Sequence, residues 1–130
     1  MRITDIKIDS NAIEHGDWVD APFIPGLRLK VRGIGNSDYK ALAVKQAALS
    51  GFQKTDEIEE ANLSEQLIET ILVDWDGLED DDGKPIPYSK DKAREYILDP
   101  DLRAFRWSVN AAATAILSKK KATQEQVAKN

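Results

Sequence analysis

Residues 73–89 read Val73-Asp74-Trp75-Asp76-Gly77-Leu78-Glu79-Asp80-Asp81-Asp82-Gly83-Lys84-Pro85-Ile86-Pro87-Tyr88-Ser89, and the helical patterns on both sides stop at them. Gly77, Gly83, Pro85 and Pro87 forbid a continuous helix. Trp75, Leu78, Ile86 and Tyr88 are too apolar for a segment that simply floats in water. The stretch therefore reads as an ordered acidic crossover loop, pinned to the body by its large side chains. Trp75, Gly77, Gly83, Pro85 and Pro87 are its expected scaffold, and because both glycines sit in turns, both are expected at positive φ.

Working back from the loop, Leu63, Leu67, Ile68, Ile71, Leu72 and Trp75 recur at steps of three and four, which predicts an amphipathic helix that delivers Trp75 into the loop. Asn62-Leu63-Ser64-Glu65 has the spacing of a capping box, and Thr55, ahead of the acidic stretch Asp56 to Ala61, offers an earlier start. A preceding helix is expected from Asn36-Ser37-Asp38, whose side-chain oxygens can accept from the first free amides. It carries Tyr39, Leu42, Ala43, Ala47 and Leu49 on one face and stops at Gly51. Working forward, Ser89 and Asp91 start a short helix with Ala93, Tyr96 and Ile97 on one side. Asp99 then caps, Pro100 takes the first helical position, and Leu102, Phe105, Val109, Ala112, Ala113 and Ile116 line the last helix. Its small residues permit close approach to a neighbour.

The N-terminal part reads as strands. Arg2 to Asp9 places Thr4, Ile6 and Ile8 on one parity with charges between them, and its best partner is the strictly alternating Leu27 to Arg32. A third short strand is expected near Trp18. The fold class is therefore α+β and mainly helical: a small N-terminal antiparallel sheet built from residues 1–35, followed by about four helices. Residues 1–118 read as a single domain. Residues 119–130 read as a polar tail with too few apolar groups to fold, expected to fray.

A chain of 130 residues with 42% apolar and 32% charged side chains has ordinary globular composition. Its formal charge of −5, from 23 acidic and 18 basic residues, argues against a phosphate-binding surface, so no nucleic acid is expected as partner. The absence of cysteine excludes disulfides, thiolate metal sites and cysteine nucleophiles. No apolar run is long enough for a membrane-spanning helix, and charges interrupt the first residues too often for a signal-peptide core, so the expected location is the cytoplasm.

Candidate chemistry is sparse. The run Asp74, Asp76, Glu79, Asp80, Asp81, Asp82 suggests calcium, but placing either loop glycine at the sixth position of an EF-hand puts a leucine at the first. His15 stands beside Glu14 and near Asp17, a possible acid–base pair with no geometry to support it. Gly33-Ile34-Gly35 lies between a strand and a helix but lacks the third glycine of a dinucleotide-binding turn. No enzyme and no cofactor or metal is expected. Of the large side chains Trp18, Trp75 and Trp107, the last falls off the apolar stripe of its helix and is the expected partner anchor. Arg28, Lys30 and Arg32 line one side of a strand and could complement Asp80, Asp81 and Asp82 of another copy.

From Ile71 through Ser89, and on into Asp91 to Leu98, the chain resembles the tail assembly chaperones of long-tailed bacteriophages, siphophage type. The likeness is a helix leading into Trp75-Asp76-Gly77, an acidic turn, then Gly83-Lys84-Pro85-Ile86-Pro87-Tyr88-Ser89 and a second short helix. It covers residues 60–118, with a looser likeness over Trp18 to Arg32. The resemblance implies a non-enzymatic morphogenesis factor of the host cell cytoplasm, absent from the mature virion. Such a protein binds the tape measure protein and the tail tube protein and self-associates as a homo-oligomer, ring or spiral; a longer frameshifted form often accompanies it. The alternative is a small acidic adaptor or inhibitor protein that binds a basic or helical partner.

Overall fold

A three-stranded antiparallel sheet and five helices make up the computed structural model, which describes residues 1–121. Strand β1 (Asp17–Asp20) pairs with β2 (Arg28–Val31), and β2 pairs with β3 (Leu72–Asp76), so β2 is central. The helices are α1 (Ser10–His15), α2 (Ser37–Leu49), α3 (Asp56–Gln66), α4 (Lys90–Leu98) and α5 (Arg103–Leu117). This is the mainly helical α+β class that the sequence patterns indicate.

Two segments differ from their sequence expectation. Arg2 to Asp9 is not a strand: Ile3–Ile6 forms a 3-10 turn, and Ile3 and Ile6 are exposed. Both edges of β2 are already taken, by β1 and β3, so the alternating N-terminal segment finds no edge there. It pairs instead with residues 119–121, where the Asp9 amide donates to the Lys119 carbonyl at 2.9 Å and the Lys121 amide to that of Lys7 at 3.0 Å. The first residues of the polar tail are therefore held against the N-terminal segment. The expectation of fraying otherwise falls on residues 122–130, which lie outside the described residues.

The second difference is at Leu63 to Trp75, where one long helix is expected. Thr55 caps α3 through its side chain, the helix ends at Gln66, a π-helical turn spans Leu67–Ile71, and β3 begins at Leu72. Leu67, Ile68, Ile71 and Leu72 are all buried. Four apolar residues buried on every side carry no single face, so their spacing does not separate helix from strand. The sheet decides it: the Ile71 carbonyl accepts from the Arg32 amide at 2.9 Å and starts the β2–β3 ladder.

The other helix starts follow local chemistry. Asp9 caps α1, Asn36 caps α2 and Ser89 caps α4, each accepting from an amide three residues on. Asp99 accepts from the Asp101 amide ahead of Pro100, which opens a 3-10 turn leading into α5. Asn36 does more than cap: fully buried, it also donates to the carbonyls of Gly33 and Thr70 at 3.0 and 2.9 Å, tying α2 to the π-helical turn. Helix α5 buries Phe105, Val109, Ala112, Ala113 and Ile116 against the inner sheet face of Leu29, Val31 and Trp75. Its alanines allow the helix to lie close to the strands.

Candidate functional site

The loop after β3 folds as a small hairpin. The Ile86 amide donates to Leu78 at 2.8 Å, the Asp80 amide to Lys84 at 2.9 Å, and the Asp80 carboxylate accepts from the amides of Asp82 and Lys84. Leu78, Ile86 and Tyr88 pack against the core, and the Trp75 indole donates to the Ile86 carbonyl at 2.8 Å. Gly77 and Gly83 have φ of +103° and +78°. Pro85 and Pro87 flank Ile86, which supplies the hairpin donor that neither proline could. Asp81 and Asp82 are exposed at the tip, and among the described residues no group of three or more His, Cys, Asp or Glu is placed to hold a metal ion.

On the outer sheet face the pairing register gives two cross-strand rows, Trp18–Lys30–Asp74 and Asp20–Arg28–Asp76. Arg28 pairs with Asp20 at 3.4 Å and lies over the Trp18 ring. Arg32 does not continue this side. The ladder shifts register between Lys30 and Val31, and Arg32 turns to Glu14 and Asp38 of its own chain, donating to Asp38 at 2.8 Å. The three basic residues thus form no continuous stripe, because the bulge breaks the alternation on which it rested. His15 is exposed at the end of α1, while the neighbouring Glu14 carboxylate accepts from both the amide and the hydroxyl of Ser37.

Apolar surface collects instead on both sides of α3. On one side lies an open groove of about 600 Å³ between α3, α4 and α5, lined by Ala61, Ile97, Leu98, Pro100 and Trp107 together with the charged Glu57, Glu60, Asp99, Arg103 and Arg106. Leu98 is 52% and Trp107 53% exposed. On the other side a smaller groove between α2 and α3 is lined by Ala43, Ala47, Phe52 and Ile58. Phe52 is 75% exposed and holds φ of +63°, a left-handed conformation that costs an aromatic residue about 1–2 kcal/mol. Neither burial nor backbone comfort favours phenylalanine there. Val44 and Leu49 are also exposed on α2, so Leu49, expected on the buried stripe, lies outside it. Gln46 takes the inner position, bonding Gln66 and the Asn62 carbonyl. The outward apolar row of α2, Ala41, Val44 and Ala48, is missed when only the inward stripe is sought, although its spacing of three and four is plain in the sequence.

Several carboxylates are tuned by partners. Hydrogen bonds from Ser37 hold Glu14 below its ordinary pKa, the Lys119 ammonium does the same for Asp17, and Lys90 for Glu69. The hydrogen bond to Glu69 in turn raises Lys90. Each acid has a lower pKa folded than unfolded, so its stabilisation is complete above the ordinary carboxylate range, about pH 3.9–4.3, and disappears as pH falls through the lowered values. For Lys90 the sense reverses: its contribution is present below the ordinary lysine range and is lost as pH rises through its raised value. The fold should therefore keep a level urea midpoint through neutral pH and lose stability below about pH 4. In a Glu14→Gln, Asp17→Asn, Glu69→Gln triple variant that acid loss should be visibly shallower; an identical acid profile would contradict these assignments.

No curated protein matches the chain, and no solved structure does. Residues 32–130 match the family described as YdaY prophage protein, a span that runs from α2 to α5 and includes β3 and the loop after it. With the match covering most of its length, the chain belongs to the YdaY prophage protein family and is phage-derived.

Proposed function

We propose that this prophage protein is a tail assembly chaperone: a non-enzymatic factor that works in the host cytoplasm as a homo-oligomer and covers apolar surface on the tape measure protein and on tail tube subunits. The observation that carries the reading is the unpartnered apolar surface on both sides of α3, with Trp107 and Leu98 on one and Phe52 on the other. A very long helical protein aggregates unless its apolar stripes are covered, and helices of that kind dock into grooves between helices. Many weak contacts by linked copies reach high avidity without one deep site. Phage origin and the likeness of the Trp75 to Ser89 segment to tail assembly chaperones support the same reading.

The test is co-expression with the tape measure protein encoded by the same prophage. That protein should be soluble with the chaperone and aggregated without it, and the two should co-purify. A tape measure protein that is equally soluble alone, and that never co-purifies, would overturn the reading. The acidic start of α3, Asp56, Glu57 and Glu59, favours a second reading as a small adaptor or inhibitor of a basic partner. Co-purification with such a partner in place of tail proteins would select it.

A further inference from the structure

With β2 at its centre, the sheet has two edges, β1 and β3. Each carries the dipeptide Asp-Trp, Asp17-Trp18 on β1 and Asp74-Trp75 on β3, and the central strand has no counterpart. The ladder fixes which way the backbone amides of these residues point. The Ala21 amide donates to the Leu27 carbonyl, so by alternation the amides of Val19 and Asp17 also face β2, and those of Trp18 and Asp20 face away. On the other side the Arg32 amide donates to the Ile71 carbonyl, so Arg28 and Lys30 face Asp76 and Asp74, and the amide of Trp75 faces away. Outward amides of this kind are what a strand from another chain would bond. Here each tryptophan amide is already taken: Trp18 donates to the Asp17 carboxylate and Trp75 to the Asp74 carboxylate, both at 2.8 Å.

We infer that Asp17 and Asp74 close the sheet edges to strand addition, an autoinhibitory contact that keeps the sheet out of any assembly of this chain. On each edge a carboxylate oxygen accepts the bond that an incoming carbonyl would need, and a hydrogen bond to a charged acceptor is roughly twice as strong as one to a neutral carbonyl. A new strand would have to displace that bond and bring its own carbonyl up to a negative charge. The two edges are not equally protected. On β3 the Leu72 carbonyl also accepts from the Tyr88 hydroxyl at 3.4 Å, and the Trp75 indole ties the returning arm of the hairpin to the strand. On β1 the Asp20 amide and the carbonyls of Trp18 and Asp20 have no hydrogen-bond partner among the described residues, so closure there falls to Asp17. Its second carboxylate oxygen is held by the Lys119 ammonium, which leaves the first for the Trp18 amide.

Hydrogen exchange on the wild-type full chain reads this contact directly. Corrected for intrinsic rates, the Trp18 amide should exchange about tenfold more slowly than the Asp20 amide, although both point out of the same edge. Equal rates would overturn the closure of β1. Its consequence is read as intermolecular β-sheet, followed by infrared absorption and thioflavin T through a concentration series. Wild type should form none, and Asp17→Ala should form it. Asp74→Ala should add to the signal of Asp17→Ala and show little alone, because Tyr88 still covers that edge. Asp17→Asn keeps an acceptor oxygen and should retain most of the protection, which separates the bond from charge repulsion. Lys119→Ala removes the ion pair, leaves the bond to Trp18, and should also stay protected. Intermolecular β-sheet in wild type would overturn the inference. So would a folded Asp17→Ala that forms none, or an Asp17→Asn or Lys119→Ala that forms as much as Asp17→Ala. Oligomers that grow without this signal are those of the chaperone reading and support the closure. Should Asp17→Ala prove unfolded by circular dichroism, the exchange comparison, which needs no variant, still decides.

Discussion

Replacing Gly77 with valine should lower the stability of the fold by about 3–5 kcal/mol, seen as a large fall in the urea midpoint. Two causes add. At φ of +103° a β-branched residue is strained by about 1–3 kcal/mol. A Cβ there would also lie 2.3 Å from the Gly26 carbonyl oxygen, which is backbone and can yield only by moving the turn before β2. That turn sets the start of the central strand, so relief in one place is paid in register at the other. Gly83 separates the two causes. Its φ is +78°, but a Cβ would meet nothing within 4 Å, so Gly83→Val should show the conformational strain alone, about 1–3 kcal/mol. Equal midpoints for the two variants would mean that the close approach of Gly77 to Gly26 costs nothing. A midpoint unchanged in both would remove the positive-φ argument altogether.

Trp75→Ala should cost a similar amount, about 3–5 kcal/mol, through loss of packing. The ring is buried, with Tyr88, Tyr96 and Phe105 centroids at 5.0, 5.8 and 5.9 Å, so it joins β3, the acidic loop, α4 and α5. Its indole also donates to the Ile86 carbonyl, a polar tie between β3 and the returning arm of the hairpin. Trp75→Phe keeps most of the aromatic contact and loses that bond, for which about 1–3 kcal/mol is expected because the carbonyl is left partly buried. The readouts are the urea midpoint and protease cutting within residues 79–85. Alanine should lower the first and accelerate the second; loop cutting unchanged from wild type would show that Trp75 does not pin the hairpin.

Local chemistry could be read residue by residue. The caps at Asn36, Thr55, Ser89 and Asp99 need only a side-chain oxygen within a few residues of free amides, and Gly77 and Gly83 need only a turn, so short stretches suffice to specify them. The buried stripe of α5 is equally plain, because a 3.6-residue period with one wet side leaves one apolar row. The phage origin also rests on the sequence, through the match over residues 32–130. Which segments fill the sheet was decided elsewhere. Arg2 to Asp9 has the alternation of a strand and lacks a free edge, whereas Leu72–Asp76 reads as the end of a helix and is drawn out by the open side of β2. The same holds for the apolar faces of α2 and of the α3–α4–α5 groove, whose exposure depends on what packs beside them. Caps and turns depend on neighbours in the chain; strand pairing and exposed faces depend on neighbours in space, which no stretch of sequence carries within itself.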